Sequence, residues 1–126
     1  MAKRFKELAV LAAQAVSDKK GEDIVLLRPG KKSPLADYWL FVTATSRPHL
    51  ELLEWEIKEK LKAEGVFCLH RAKPASDHWR ALDFGGLMVH IMTAETRSFY
   101  ALEKLYSDSP VVDWEEKNSR APKALR

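Results

Sequence analysis

Two acids and two histidines lie within a largely apolar segment of the chain, residues 76–93, with the sequence SDHWRALDFGGLMVHIMT. Asp83 and His90 are candidates for chemistry because a carboxylate beside an imidazole can transfer a proton in general acid–base catalysis. Trp79 and Asp83 also suit a binding protein, in which an aromatic side chain anchors the contact and the carboxylate meets a cation of the partner. The segment therefore permits both an enzymatic and a binding interpretation.

The glycine pair at the centre of this segment predicts how its side chains are arranged. Gly85-Gly86 between two apolar runs indicates a two-residue β-hairpin turn of type I′, with positive φ at both glycines. Because side chains alternate across a sheet, the predicted core face is apolar apart from one arginine: Arg80, Leu82, Phe84, Leu87, Val89 and Ile91. The opposite face mixes aromatic, thioether and titratable groups: Trp79, Ala81, Asp83, Met88, His90 and Met92. That second face is too apolar for solvent and too polar for a sealed core.

The enzymatic interpretation lacks the residues that would complete a site. In the predicted register Asp83 and His90 are diagonal neighbours on one face, but the sequence contains no nucleophile elbow, P-loop or Gly-x-Gly-x-x-Gly motif. A nucleotidyltransferase would need paired carboxylates to hold a divalent metal, and neither Asp37 nor Asp83 has a second carboxylate two residues later. We therefore predict no catalytic residue and favour a structural, hydrogen-bonded His90.

Metal and cofactor sites are not predicted either. The chain has four histidines, none in a His-x-x-x-His or Glu-x-x-His arrangement: His49, His70, His78 and His90. The single cysteine, Cys68, excludes an intrachain disulfide and a cysteine-based zinc site.

The overall charge and hydropathy narrow the class of protein. The chain has 126 residues, enough for one domain, and carries 21 Lys and Arg against 18 Asp and Glu. The net charge of +3 is smaller than that of a dedicated nucleic-acid-binding protein, whose surface is strongly basic. It is still compatible with a protein that binds an RNA-rich assembly. The N-terminal apolar residues recur with helical spacing, unlike a signal peptide, and no apolar run is long enough to cross a bilayer. We expect a cytoplasmic protein without a membrane partner.

The periodicity of the apolar residues predicts the elements of the fold. Helical spacing covers three segments: residues 3–18, 47–64 and 94–106. Five apolar runs indicate strands: residues 22–28, 38–44, 66–71, 79–84 and 87–92. This order predicts a single α/β domain over residues 1–110, with a five-stranded mixed sheet flanked by helices. Beyond it the chain is polar and basic, so we expect residues 111–126 to form a weakly ordered tail.

Two of the predicted helices differ in how clearly their faces are assigned. The spacing of the last helix turns three large residues toward the core: Phe99, Leu102 and Leu105. In the second helix, Trp55 lies nearly opposite the apolar stripe formed by Leu50, Leu53, Ile57 and Leu61. Either the first helix covers Trp55, or the indole marks a contact surface such as a homodimer interface.

Three longer segments of the chain together resemble the ribosomal silencing factor family, also called the Iojap family. They are EDIVLL, LADYWLFVTATSRPHLELLEWEIKEKLKAEG and HWRALDFGGLMVHIMTAETRSFYALEKLYSDSP, and the resemblance covers residues 5–110. It implies a nucleotidyltransferase-like α/β fold without catalytic carboxylates, in a protein that is not an enzyme.

The resemblance also implies a partner and a mode of action. Members of the family bind the large ribosomal subunit through its fourteenth protein and sterically prevent the small subunit from joining, which lowers translation when nutrients are scarce. A role in maturation of the large subunit is the alternative that relatives suggest. Contact with neighbouring ribosomal RNA and formation of a homodimer stay open.

Six residues are predicted to bind the partner: Trp79, Asp83, Phe84, Gly85, Met88 and His90. The first four match the hairpin of the family, and the last two share the predicted outer face. The chain departs from the family at Phe84, where tyrosine is common, and at Gly86, where Asp or Asn is frequent. Because ribosomal proteins are usually basic, Asp83 beside Trp79 would suit an Arg or Lys of the partner.

Overall fold

The computed structural model describes residues 2–29, 36–71, 76–101, 104 and 109–115. Within them the chain forms, in order, α1 (Ala2–Asp18), β1 (Glu22–Leu27), β2 (Tyr38–Ala44), α2 (Arg47–Ala63), β3 (His70–Arg71), β4 (Trp79–Asp83), β5 (Leu87–Thr93) and α3 (Ala94–Tyr100). No helix in this described part is both long enough and apolar enough to pass through a membrane.

The strands form one mixed sheet in the order β1-β2-β5-β4-β3. The two neighbours β2 and β5 run parallel, and the other neighbouring pairs are antiparallel. Parallel strands need a long crossover connection, and here the chain builds α2, β3 and β4 before β5 returns beside β2. The prediction of a single α/β domain with a mixed sheet and flanking helices is confirmed.

The predicted sheet needs one correction, at its β3 edge. The expected strand VFCLHR is reduced to a two-residue pairing with β4, His70–Arg71, so the sheet has four full strands and a short edge. The N–H of Val66 instead donates to the carbonyl of Leu61 at the end of α2, at 2.9 Å. This hydrogen bond holds the start of the segment against the helix, and the side chains of Phe67 and Leu69 are exposed.

Alternation along β2 directs its side chains into two separate apolar clusters. All seven residues of the strand are buried, as expected for a strand covered on both faces. Its even-numbered residues join the larger core cluster, which lies against α1 and α2: Tyr38, Leu40, Val42 and Ala44. Trp39 and Phe41 join a smaller cluster on the opposite face. From α2, the predicted stripe is fully buried in the larger cluster: Leu50, Leu53, Ile57 and Leu61.

The last helix, α3, ends earlier than predicted. It stops at Tyr100 because Ala101 adopts a left-handed conformation, with φ 47° and ψ 43°, and donates its N–H to the carbonyl of Arg97. A left-handed residue of this kind closes a helix. Of the residues predicted to face inward, Leu102 and Leu105 lie outside the described residues.

The inward face of α3 also differs from the prediction. Phe99 was expected to face the core, but its side chain is 80% exposed, so that prediction is wrong. Arg97 is buried instead, and its guanidinium donates a hydrogen bond to Oγ1 of Thr43 on β2 at 2.8 Å. Residues two apart on a helix lie on nearly opposite sides, so burying Arg97 turns Phe99 to solvent.

Part of the predicted tail is bound to the domain. The carbonyl of Pro110 accepts a hydrogen bond from Arg28 N–H at 3.0 Å, and Val112 N–H donates to the carbonyl of Leu26 at 2.8 Å. Gln14 Nε2 on α1 donates to the carbonyl of Trp114 at 2.9 Å. Val112 and Trp114 are therefore hydrogen-bonded to β1 and α1, while residues 116–126 lie outside the described residues, and weak order of the tail as a whole stays a prediction.

Candidate functional site

The hairpin of β4 and β5 has the register that the glycine pair predicts. Trp79 lies opposite Met92, Ala81 opposite His90 and Asp83 opposite Met88. The predicted core face is confirmed as well, because its apolar residues belong to the larger core cluster: Leu82, Phe84, Leu87, Val89 and Ile91. The hairpin therefore presents the predicted outer face away from α1 and α2.

The turn itself differs in type from the prediction. Only Gly85 has a positive φ, 97°, and positive φ at the first central position alone is the pattern of a type II′ turn. Gly86 meets a different requirement, since a Cβ at this position would lie 2.5 Å from the ring of Phe5. The second glycine allows α1 to approach the turn closely.

The one polar residue on the core face, Arg80, has a buried ion-pair partner. Its guanidinium contacts the carboxylate of Glu54 on α2, with both side chains almost fully buried, and its Nε donates to the carbonyl of Ser76 at 2.7 Å. Sequence reasoning missed Glu54, although its place four residues after Leu50 in the apolar stripe of α2 was a usable signal. This ion pair connects the hairpin to the helix beneath it.

The six predicted partner-binding residues do not share one environment. Phe84 is 3% exposed within the larger core cluster, and His90 is 6% exposed, so neither side chain is presented at the surface, and a role of either in partner binding stays a prediction. The other four are half-buried and reach the surface: Trp79, Asp83, Gly85 and Met88. We call these four residues the docking surface, after their predicted role in binding the partner.

The carboxylate of Asp83 is held in place from two sides. Its Oδ1 accepts a hydrogen bond from the Gly85 N–H at 2.8 Å. Its Oδ2 lies 3.4 Å from Nδ1 of His70, the residue directly across the edge pairing of β3 with β4. The charged group of the docking surface is thus oriented by the turn and by the sheet edge. Sequence reasoning did not find His70, because its pairing depends on the shortened strand.

A hydrogen bond between Trp79 and His90 connects β4 and β5 on the outer face of the hairpin. The indole Nε1 of Trp79 donates to Nδ1 of His90 at 3.0 Å. The imidazole is stacked on Trp39, with ring centroids 5.1 Å apart, and on Phe41, at 5.5 Å. Burial lowers the pKa of His90 from 6.5 to about 4, so the ring is neutral near pH 7. The predicted structural role of His90 agrees with this environment.

Exposed aromatic rings continue outward from the docking surface. The ring of Tyr100 lies 4.9 Å from that of Trp79, and Phe99 packs edge-on against Tyr100 at the same distance. Both α3 residues are more than half exposed. Sequence reasoning missed this extension because Phe99 was assigned to the core, although two adjacent helical aromatics cannot both face inward.

The arrangement does not assemble the proton-transfer pair that the spacing allowed. Asp83 bonds Gly85 and His70, while His90 bonds Trp79. Across the described part of the chain, no group of three or more His, Cys, Asp and Glu side chains could hold a metal ion. What the site offers is an oriented carboxylate beside aromatic and thioether surface.

Trp55 lies apart from the docking surface, on α2. Its side chain is 57% exposed, so the alternative in which α1 covers it is wrong. A contact role for Trp55, including a homodimer, stays a prediction.

The chain is similar to known proteins in both sequence and structure. The family model described as "Ribosomal silencing factor during starvation" matches residues 2–125. A curated protein named "Ribosomal silencing factor RsfS", from Halalkalibacterium halodurans, is 32% identical over 110 residues, or 87% of this chain and 94% of that protein. A mouse protein named "Mitochondrial assembly of ribosomal large subunit protein 1" is 30% identical over 68% of this chain and 39% of its own length. A crystal structure from Chromobacterium violaceum superposes with a TM-score of 0.77 at 30% identity, covering 81% of this chain and 85% of that one.

Proposed function

The chain belongs to the ribosomal silencing factor family, and from that membership we propose that it binds the large ribosomal subunit through the subunit's fourteenth protein. Bound there, it sterically blocks association of the small subunit and represses translation. The protein works by occupying a surface, so no catalytic step is required. The nucleotidyltransferase-like fold that the family resemblance implies stays a prediction.

The observation that supports this proposal best is the pairing of an anchor and a charge on the docking surface. Trp79 presents a half-exposed aromatic ring, and Asp83 presents a carboxylate on the same face of the hairpin. Aromatic side chains beside a desolvated charge dominate many protein interfaces. Ribosomal proteins are usually basic, so an Arg or Lys of the partner is the expected counterpart of Asp83.

The fixed position of the carboxylate adds to this argument. Asp83 Oδ1 is already bound to the Gly85 N–H, and Oδ2 faces His70. A group that is ordered before binding loses little conformational freedom when the partner arrives. Met88, directly across from Asp83, supplies adaptable apolar surface around the charge.

A second function, assistance in assembly of the large subunit, is favoured by the name of the mouse relative. Both functions would use the same surface of the same subunit. Depletion of the protein separates them: accumulation of precursor large subunits indicates assembly, whereas normal subunits with unrepressed joining indicate silencing.

The direct test is binding to purified large subunits, measured by co-sedimentation, together with the rate of subunit joining measured by light scattering. Trp79→Ala is expected to weaken binding by more than about 2 kcal/mol and to restore subunit joining. Phe67→Ala is the matched control, because it removes an exposed aromatic ring outside the docking surface and should bind normally. Full binding by folded Trp79→Ala would contradict the assigned surface, and no binding by the wild type would contradict the function.

A further inference from the structure

A buried histidine is unexpected at position 90, because its ring packs between two aromatic side chains. The imidazole is enclosed between Trp39 and Phe41, with ring centroids 5.1 and 5.5 Å away. A phenyl ring would fill the same stacked place and would bring no polar atoms into an apolar cluster. The histidine must therefore be explained by what its nitrogen atoms do.

The two ring nitrogens differ in their partners. An indole N–H can only donate, so Nδ1 of His90, which receives it from Trp79, carries no proton. In a neutral ring the proton then lies on Nε2, and Nε2 has no hydrogen-bond partner among the described residues. An unpaired buried donor costs folding free energy. The residue thus provides an acceptor for Trp79 at some cost to stability.

The hydrogen bond to His90 also decides which part of Trp79 a partner can meet. The single polar atom of the indole points inward to His90, and the ring lies against Tyr100 with a centroid distance of 4.9 Å. The remaining accessible surface of the indole is carbon. A partner would therefore pack an aliphatic stem or a guanidinium plane on the ring, instead of accepting a hydrogen bond from it.

We propose that His90 is a positioning residue for partner binding: by accepting the indole hydrogen bond it holds Trp79 in the orientation that meets the large-subunit protein. This inference rests on the proposed function, because it assumes that Trp79 is the anchor. His90 itself does not touch the partner. Its contribution is the orientation of one half-exposed ring, which would otherwise rotate among several rotamers.

Two substitutions separate the acceptor from the ring. His90→Phe keeps the stacked aromatic ring, removes the acceptor and also removes the unpaired N–H. His90→Asn loses the ring but places Oδ1 the same number of bonds from Cα as Nδ1 of histidine, so it can still accept from Trp79. If the ring served packing alone, His90→Phe should bind normally and His90→Asn should be the weaker binder.

The expected result is the reverse order. Folded His90→Phe should bind large subunits roughly fivefold to tenfold more weakly than the wild type, the equivalent of one hydrogen bond, while being at least as stable to urea. His90→Asn should bind within about twofold of the wild type, despite lower stability. In the free protein, the indole N–H of Trp79 should exchange with solvent faster in His90→Phe than in the wild type or His90→Asn.

A double-mutant cycle completes the test. Trp79→Phe removes the donor, so adding His90→Phe to it should weaken binding no further. Normal binding by His90→Phe, equal weakening by both His90 variants, or additive losses in the cycle would each overturn the positioning role while the proposed function stands. Absence of binding by the wild type would overturn both.

Discussion

Trp79 on β4 donates its indole N–H to Nδ1 of His90 on β5, and this 3.0 Å hydrogen bond joins a half-exposed ring to a buried one. Asp83, on the same face as both residues, is bound to Gly85 and His70 instead. The outer face of the hairpin therefore contains two separate oriented groups, an aromatic anchor and a carboxylate. This division is what favours a docking role over a proton-transfer role.

The charge of Asp83 is expected to carry partner affinity. Asp83→Asn keeps an oxygen that can accept from the Gly85 N–H, so it removes the charge with little change of the turn. Asp83→Lys reverses the charge and should weaken binding by roughly 2 kcal/mol or more, with Asp83→Asn intermediate. Asp18→Lys makes the same charge reversal at an exposed site at the end of α1 and should bind normally. Equal affinities for all variants in co-sedimentation would rule out a charge contact at Asp83.

Burial of His90 predicts how stability depends on pH. The pKa of His90 is lowered from 6.5 to about 4 in the folded protein, so only the unfolded chain takes up the proton as the pH falls from 6.5 toward 4. The contribution of His90 to the free energy of unfolding is therefore fully present well above pH 6.5 and is lost as the pH falls below it. We expect this loss to be about 2 kcal/mol between pH 7.5 and pH 5. Urea unfolding of the wild type and of His90→Phe should show this difference. The other three histidines are common to both proteins, so parallel pH profiles would mean that His90 titrates normally.

The buried ion pair of Arg80 and Glu54 should respond differently to single and double substitution. Arg80→Met leaves the Glu54 carboxylate buried with its main cationic partner gone, and should cost about 3 kcal/mol or more of folding free energy. Arg80→Met combined with Glu54→Leu removes both charges and should recover most of that loss. Chemical unfolding measures the three proteins directly. Additive losses in the double variant would show that the two side chains do not act as a pair.

The close approach of α1 to the hairpin turn predicts a coupling between Gly86 and Phe5. A Cβ at residue 86 would lie 2.5 Å from the Phe5 ring, so Gly86→Ala should destabilise the protein by about 1 kcal/mol or more. When Phe5 is first replaced by Ala, the same substitution at Gly86 should cost much less. Thermal unfolding of the four proteins tests this. If Gly86→Ala costs the same folding free energy in the Phe5→Ala background, the strain arises from the turn backbone and not from contact with Phe5.

Much of the fold follows from local patterns, and these patterns were sufficient for β2, for α2 and for the hairpin. The continuous apolar run of β2 predicted a strand buried along its whole length, and the helical spacing of Leu50, Leu53, Ile57 and Leu61 predicted the buried face of α2. The glycine pair was enough to establish the register, since a two-residue turn leaves one way to pair the flanking residues. The same local reasoning failed for α3, where a left-handed Ala101 ends the helix, and no residue type marks that position in the sequence.

The sequence by itself determined the faces of the hairpin, and with them the shared location of Trp79, Asp83 and His90. It could not decide which of these residues bond to one another. Alternation makes both Trp79 and Asp83 diagonal neighbours of His90, and twist between the strands brings one diagonal closer than the other. The burial of His90 also depends on the tertiary structure. Trp39 and Phe41 enclose its ring, and both belong to β2, a strand more than forty residues earlier in the chain. Packing between distant segments therefore decided that the imidazole is buried and accepts the indole N–H of Trp79.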